Sequence, residues 1–272
     1  NLRNRDEETV RMQYGICLLP VVPLRSEPAE TAEQCSQLVF GDVFHILELT
    51  EKNSRIRLWY DDYEGWIDRK QYIEISKDDF FLLTRAKALY TGKFVNEIKI
   101  SNDRTGVSYV ARLPFSSRIF SKHYKVTDYD IDASECCLLK EESFSGERLE
   151  EYIKNYFYTP YLWGGKCNFA TDCSGFTQSI FKLFGVRLKR DASQQFMQGN
   201  PVASLNEAKA GDLAFFSNSA GKIVHVGILL SNDSIIHASG YVRRDRIDCK
   251  GILRMEDGAY SHSLEQIRRF FV

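Results

Sequence analysis

Three side chains in the C-terminal half have types and spacing suited to nucleophilic chemistry: Cys173, His225 and His237. Only the thiolate attacks a carbonyl carbon, and an unperturbed thiol, with a pKa of about 8.5, is mostly protonated at neutral pH. Cys173 lies in Thr171-Asp172-Cys173-Ser174-Gly175-Phe176, ahead of Phe176, Ile180, Phe181, Leu183 and Phe184, which recur at helical spacing until Gly185. That pattern puts the cysteine in the first turn of a helix. Unpaired amides and the helix dipole there favour a negative sulfur. Asp172 or Thr171 can cap the helix. The plainer alternative is a buried, inert cysteine that begins a core helix.

The histidines fall on strands. Asp212 to Phe216, Ile223 to Leu230 and Ser234 to Ala238 are apolar and β-branched runs separated by turn residues, and they predict an antiparallel meander. In the middle run Val224, Val226, Ile228 and Leu230 share one face, leaving His225 and Gly227 on the other. A three-residue loop, Ser231-Asn232-Asp233, pairs Leu230 with Ser234 and Gly227 with His237, so that the two histidines become diagonal neighbours on one face. A two-residue loop would shift the register by one and separate them. Each histidine alone could equally be a satisfied core residue.

The segments Tyr161-Leu162-Trp163-Gly164-Gly165, Asp172-Cys173-Ser174-Gly175-Phe176, Arg190-Asp191-Ala192-Ser193-Gln194-Gln195, Gly211-Asp212-Leu213, His225-Val226-Gly227-Ile228 and Ile236-His237-Ala238 together resemble the NlpC-type cell-wall cysteine peptidases. The resemblance covers roughly the last 130 residues. It implies a papain-like α+β domain with Cys173 as nucleophile, His225 as general base and His237 orienting His225. A histidine in the third position adds no fixed negative charge and would set the tautomer of His225. Thiolate attack on an amide and hydrolysis of a thioester follow, with no cofactor. The backbone amide of Cys173 and the phenol of Tyr161 are candidate oxyanion donors. Tyr161 and Trp163 line the pocket or simply pack under the loop.

Upstream, Tyr14 to Ile75 reads as short strands separated by turns, which suggests a small barrel. Pro23-Leu24-Arg25, Gln37-Leu38-Val39-Phe40-Gly41-Asp42 and Tyr63-Glu64-Gly65-Trp66-Ile67 are similar to bacterial SH3-like domains. A second β-rich stretch, Lys77 to Lys140, reads as a more divergent copy. The expected organisation is residues 1–76 for the N-terminal segment and first barrel, 77–142 for the second β domain, and 143–272 for the peptidase domain. This order resembles enzymes that cut small murein peptides between γ-D-glutamate and the following diamino acid, in which the first barrel closes the cleft so that only a free N-terminal L-alanine fits. The resemblance implies carboxylate partners for that ammonium, because an unpaired buried charge is costly. Asp191 matches one such position, Glu27 and Tyr63 are candidates from the barrel, and Asp172 and Ser174 flank the nucleophile. Asp191 could instead cap a helix, and Glu27 could be a solvated turn residue.

Composition excludes some classes. The chain has 272 residues, 43% hydrophobic, with a formal net charge of −1. It has no dominant basic run and no long apolar stretch, which argues against nucleic acid as a partner and against a membrane span. A monomer acting on a small peptide is expected. The start, Asn1 to Glu7, lacks Met and an apolar signal core and reads as a processed or trimmed form, which leaves cytoplasm and cell envelope both open. Seven cysteines with no CxxC show no disulfide framework. Rival readings are a zinc hydrolase with Cys173, His225 and His237 as ligands, a noncatalytic wall-peptide-binding protein, and an acyltransferase or amidase on the same fold.

Overall fold

The computed structural model describes residues 12–271, so the Asn1–Glu7 stretch lies outside the described residues. The first body is a seven-stranded antiparallel sheet in the order Gln34–Val39, Val21–Arg25, Glu64–Asp68, Asn53–Leu58, Val43–Leu49, Gln13–Ile16 and Ile73–Ile75. Its alternating residues Val22, Leu24, Leu38, Ile56, Leu58 and Ile67 are buried in one core. This is the small barrel expected from the turn spacing.

Residues Lys77–Arg85 form a helix, α1, where the sequence reading had only a β-rich stretch. The physical signals are local: Ser76 caps the helix by accepting from the Asp79 amide, Asp78 and Asp79 occupy its first turn, and Phe80 and Leu83 turn inward one helical turn apart. Beyond α1 lie a four-stranded and a three-stranded antiparallel sheet. Ile98, Ile100, Leu113 and Ile131 of these strands share a core with Tyr14, Ile16 and Phe40 of the first body.

The third body packs α2 (Gly146–Ile153), α3 (Cys173–Phe181) and the short α4 (Ala192–Gln195) against a second seven-stranded sheet. Its last long strand, Tyr260–Arg269, pairs with both Leu213–Ser217 and Gly251–Leu253 and so closes six strands into a barrel. Ala214, Phe216, Leu229, Ile235 and Ile252 fill the interior. The alternate residues Leu213, Phe215, Val226, Ile228 and Ile236 face outward and pack on Phe176, Ile180 and Phe181 of α3. The architecture is α+β, as expected, and no helix among the described residues is long and apolar enough to cross a membrane.

Candidate active site

The strand pairing is the odd-loop register: Gly227 lies opposite His237, Ile228 opposite Ile236, and the Leu230 amide donates to the Ser234 carbonyl at 2.8 Å. His225 and His237 are therefore diagonal neighbours, and His225 Nε2 and His237 Nδ1 are 2.8 Å apart. Gly227 makes the room, because a Cβ there would stand 2.9 Å from His237 Cβ and 2.7 Å from Ile235 Cδ1. Cys173 opens α3 with Asp172 as its N-cap. Cys173 shares a buried cluster with Val226, the residue after His225, so the thiol lies against the strand that carries His225.

A fourth residue stands behind the histidines. Asp245 Oδ2 is 3.0 Å from His237 Nε2, and Arg243 clamps the same carboxylate through Nε at 2.8 Å and Nη2 at 3.0 Å, with the Met255 amide at 2.9 Å. Burial alone would raise this carboxyl, but the bonds from His237 and Arg243 hold it well below the usual carboxylate range. An ionised Asp245 only accepts, so His237 carries its proton on Nε2 and offers the Nδ1 lone pair. His225 must then donate from Nε2, which leaves its Nδ1 as a free base. Sequence reading missed Asp245, although the signal was present: one further antiparallel strand, with His237 opposite Arg243, puts Asp245 on the same face.

Electrostatics correct one expectation. The amides of Ser174 and Val226 favour a thiolate, but burial and the adjacent Asp172 carboxylate outweigh them and push the Cys173 thiol up to about 12. Burial, with His237 and His262 nearby, lowers His225 well below its ordinary value. Both shifts favour the uncharged forms, a thiol at Cys173 and a neutral imidazole at His225.

The cleft holding Cys173 is lined from the third body by Tyr161, Trp163 and Asp191, and from the first barrel by Glu33, Cys35 and Tyr63. Tyr63 and Asp191 face each other across the seam, and burial raises the Asp191 carboxyl. Trp163 Nε1 donates to Glu33 Oε1 at 2.6 Å. Asp191 is also the N-cap residue of α4, so the two readings of it coexist. Glu27 does not reach the cleft. It is exposed on the turn after Arg25, and Glu33 is the barrel acid that lines the cleft. Asp172 and Ser174 do line it, but both Asp172 oxygens are occupied: Arg190 Nη2 donates to Oδ2 at 2.7 Å and Nη1 to Oδ1 at 3.0 Å, with the Gly164 and Gly175 amides at 2.9 and 2.7 Å. Gly164, at φ +74°, brings the loop so close to the barrel that a Cβ would lie 2.4 Å from the Gln34 carbonyl.

Among the described residues no three His, Cys, Asp or Glu side chains converge as a metal-holding group. The lone pair that His237 Nδ1 would offer a metal is directed at His225 instead. All seven cysteines are free thiols.

A cysteine at the start of a helix, packed on a barrel that carries paired histidines, defines a papain-like cysteine peptidase fold. Residues 158–264 match the NlpC/P60 family and residues 24–71 match the bacterial dipeptidyl-peptidase Sh3 domain; the chain carries an NlpC/P60 peptidase domain together with a bacterial SH3 domain. It is 29% identical over 220 residues, 77% of this chain and 69% of the relative, to the γ-D-glutamyl-L-lysine dipeptidyl-peptidase of Bacillus subtilis (strain 168). A Bacillus cereus (strain ATCC 10987 / NRS 248) protein of the same name is 28% identical, covering 65% of this chain and 56% of the relative. The crystal structure of an NlpC/P60 family protein from Bacillus cereus ATCC 10987 superposes with a TM-score of 0.77 at 17% identity, over 95% of this chain and 100% of that one.

Proposed function

We propose that the protein hydrolyses the γ-D-glutamyl–diamino acid bond of small murein peptides bearing a free N-terminal L-alanine. Cys173 is the nucleophile, His225 the base, and His237 the residue that orients it. The observation that carries this reading is the shared cleft, in which Asp191, Tyr63 and Glu33 gather near Cys173 from two bodies. Carboxylates set in such a wall suit an ammonium group, and a wall near the nucleophile limits how much peptide precedes the scissile bond. The names of the two Bacillus relatives support the same bond.

In this mechanism the Cys173 proton passes to His225 Nδ1 as the sulfur bonds to the carbonyl carbon, so the neutral resting pair ionises only with substrate in place. The Cys173 amide and Tyr161 hydroxyl take up the oxyanion. The imidazolium then gives its proton to the departing amine as the C–N bond breaks. A water deprotonated by His225 hydrolyses the thioester and restores the thiol. Incubation with L-Ala-γ-D-Glu-diaminopimelate and its N-acetylated form, read by mass spectrometry, tests the substrate. Cleavage of the free-amine peptide alone is expected. Equal cleavage of both sinks the amine requirement, and activity surviving Cys173→Ala sinks the mechanism.

A further inference from the structure

A second cavity, of about 270 Å³, lies where all three bodies meet and shares no lining residue with the cleft. Lys182, nine residues beyond Cys173 and ~13 Å along the helix by its rise per residue, lies in its wall. Asp42, Trp59 and Tyr60 come to it from the first barrel, and Tyr90 and Arg118 from the second body.

Its charge is unbalanced. Five cations line it, Lys87, Arg118, Lys166, Lys182 and Arg187, against two carboxylates, Asp42 and Glu141, a surplus of three. The carboxylates are already engaged: Asp42 pairs with Lys166 at 3.2 Å, and Glu141 Oε1 accepts from the Tyr90 hydroxyl at 3.0 Å. Arg187 lies over the Trp59 ring at 4.1 Å and donates to the Tyr60 carbonyl, while Arg118 donates to the Leu83 carbonyl at 3.0 Å and keeps a buried, unpaired Nε. Lys182, 7% exposed, has the Tyr90 ring at 5.5 Å and makes no ion pair or hydrogen bond through its ammonium among the described residues. A buried ammonium without a counter-charge is costly, so the wall is built for a negative group. A ligand here must therefore carry negative charge.

We propose that this junction cavity binds a small dianionic oxyanion, of which hydrogenphosphate and sulfate are the simplest, with Lys182 and Arg118 as charge partners. The site is independent of the peptidase reading and stands or falls without it. Occupancy ties the first barrel and second body to the third, so the bound form melts at higher temperature. Burial, with Lys166 and Arg118 nearby, lowers the Lys182 ammonium to about 7. Asp42 acts in the opposite direction, so anion binding draws a proton onto Lys182 and weakens as pH rises through that value.

The test is calorimetric titration of the full chain with sodium phosphate and sodium sulfate at constant ionic strength, chloride being the background anion. One anion per chain is expected with either salt. Lys182→Met keeps the buried stem and removes only the charge, and should weaken phosphate at least tenfold while leaving the Cys173 alkylation rate unchanged. In the unaltered protein, sulfate affinity should fall roughly 25-fold from pH 6.5 to 8.5, as the fraction of charged Lys182 falls. No heat with either anion at 10-millimolar order, equal affinity in Lys182→Met, or pH-independent sulfate binding would each overturn the site.

Discussion

Replacing Asp245 by Asn keeps the side-chain shape but removes an acceptor that four donors share. With the amide oxygen placed to serve Met255 and Arg243 Nη2, the new NH2 group faces His237 Nε2 and the Arg243 Nε–H. His237 must then accept at Nε2 and carry its proton on Nδ1, which obliges His225 to accept at Nε2 and hold its own proton on Nδ1. The base is left in the wrong tautomer. The opposite amide rotamer preserves His237 but sets NH2 against two donors, so tautomer inversion is the smaller loss. A comparable inversion in a serine-protease triad costs about 10⁴ in kcat. With Asp245 one link farther from the base, we expect a fall of about 10²–10³, or ~2.7–4 kcal/mol of barrier, and a stability loss of ~1–3 kcal/mol from the unpaired Arg243 donor. The assay is kcat on L-Ala-γ-D-Glu-diaminopimelate alongside the iodoacetamide rate at Cys173, with near-UV circular dichroism confirming the fold. A folded Asp245→Asn protein with kcat within about threefold of the parent would refute the relay.

Three other perturbations test different links. Gly227→Ala drives a methyl into His237 Cβ and Ile235, and should cut kcat by about 10²-fold through misplacement of His237; unchanged kcat would mean that the ring position does not matter. Asp191→Asn should raise KM for the free-amine peptide by about tenfold to a hundredfold, the worth of a hydrogen bond to a charged group, with kcat little changed. An unaltered KM would remove Asp191 from ammonium binding. Burial, the leading cause each time, lowers His225, His237 and His262, the last to about 4. The unfolded chain therefore takes up protons near pH 6.5 that the folded chain refuses, so stability is fully present above about 6.5 and declines below it, each histidine contributing at most ~1.4 kcal/mol per pH unit. Urea unfolding at pH 8, 6 and 5 measures this, and a flat or rising profile would contradict it.

The parts of the site legible in the sequence were those fixed by local periodicity. Period two and an odd-length loop were enough to bring His225 beside His237, and the apolar spacing after Cys173 was enough to begin α3 at the thiol. Contacts between bodies were not legible. Glu27 and Glu33 are both acids on one barrel turn region, and only the placement of that turn against Trp163 selects Glu33. The helix dipole at Cys173 was read correctly as a favourable field, but its competitor, desolvation, depends on the surrounding barrel and cannot be counted from spacing. The α1 helix is not legible from periodicity, although its cap and first-turn acids are local, because Phe80-Phe81-Leu82-Leu83 is a short continuous apolar run that fits a buried strand as well as a helix.

Arg190 has a consequence for how such chains can be recombined. Fully buried, it donates to Asp172, Ser174 and the Gly165 carbonyl in the third body and through Nε to Ser36 of the first barrel at 2.8 Å. Gln37 accepts from the Lys166 amide and Asp61 from Gln178 across the same seam. Excising residues 143–272 would thus expose a polar surface shaped to a missing neighbour, and grafting a foreign barrel would require rebuilding those bonds one by one. The barrel and the catalytic loop of this chain therefore share one set of buried polar bonds despite being distant in sequence.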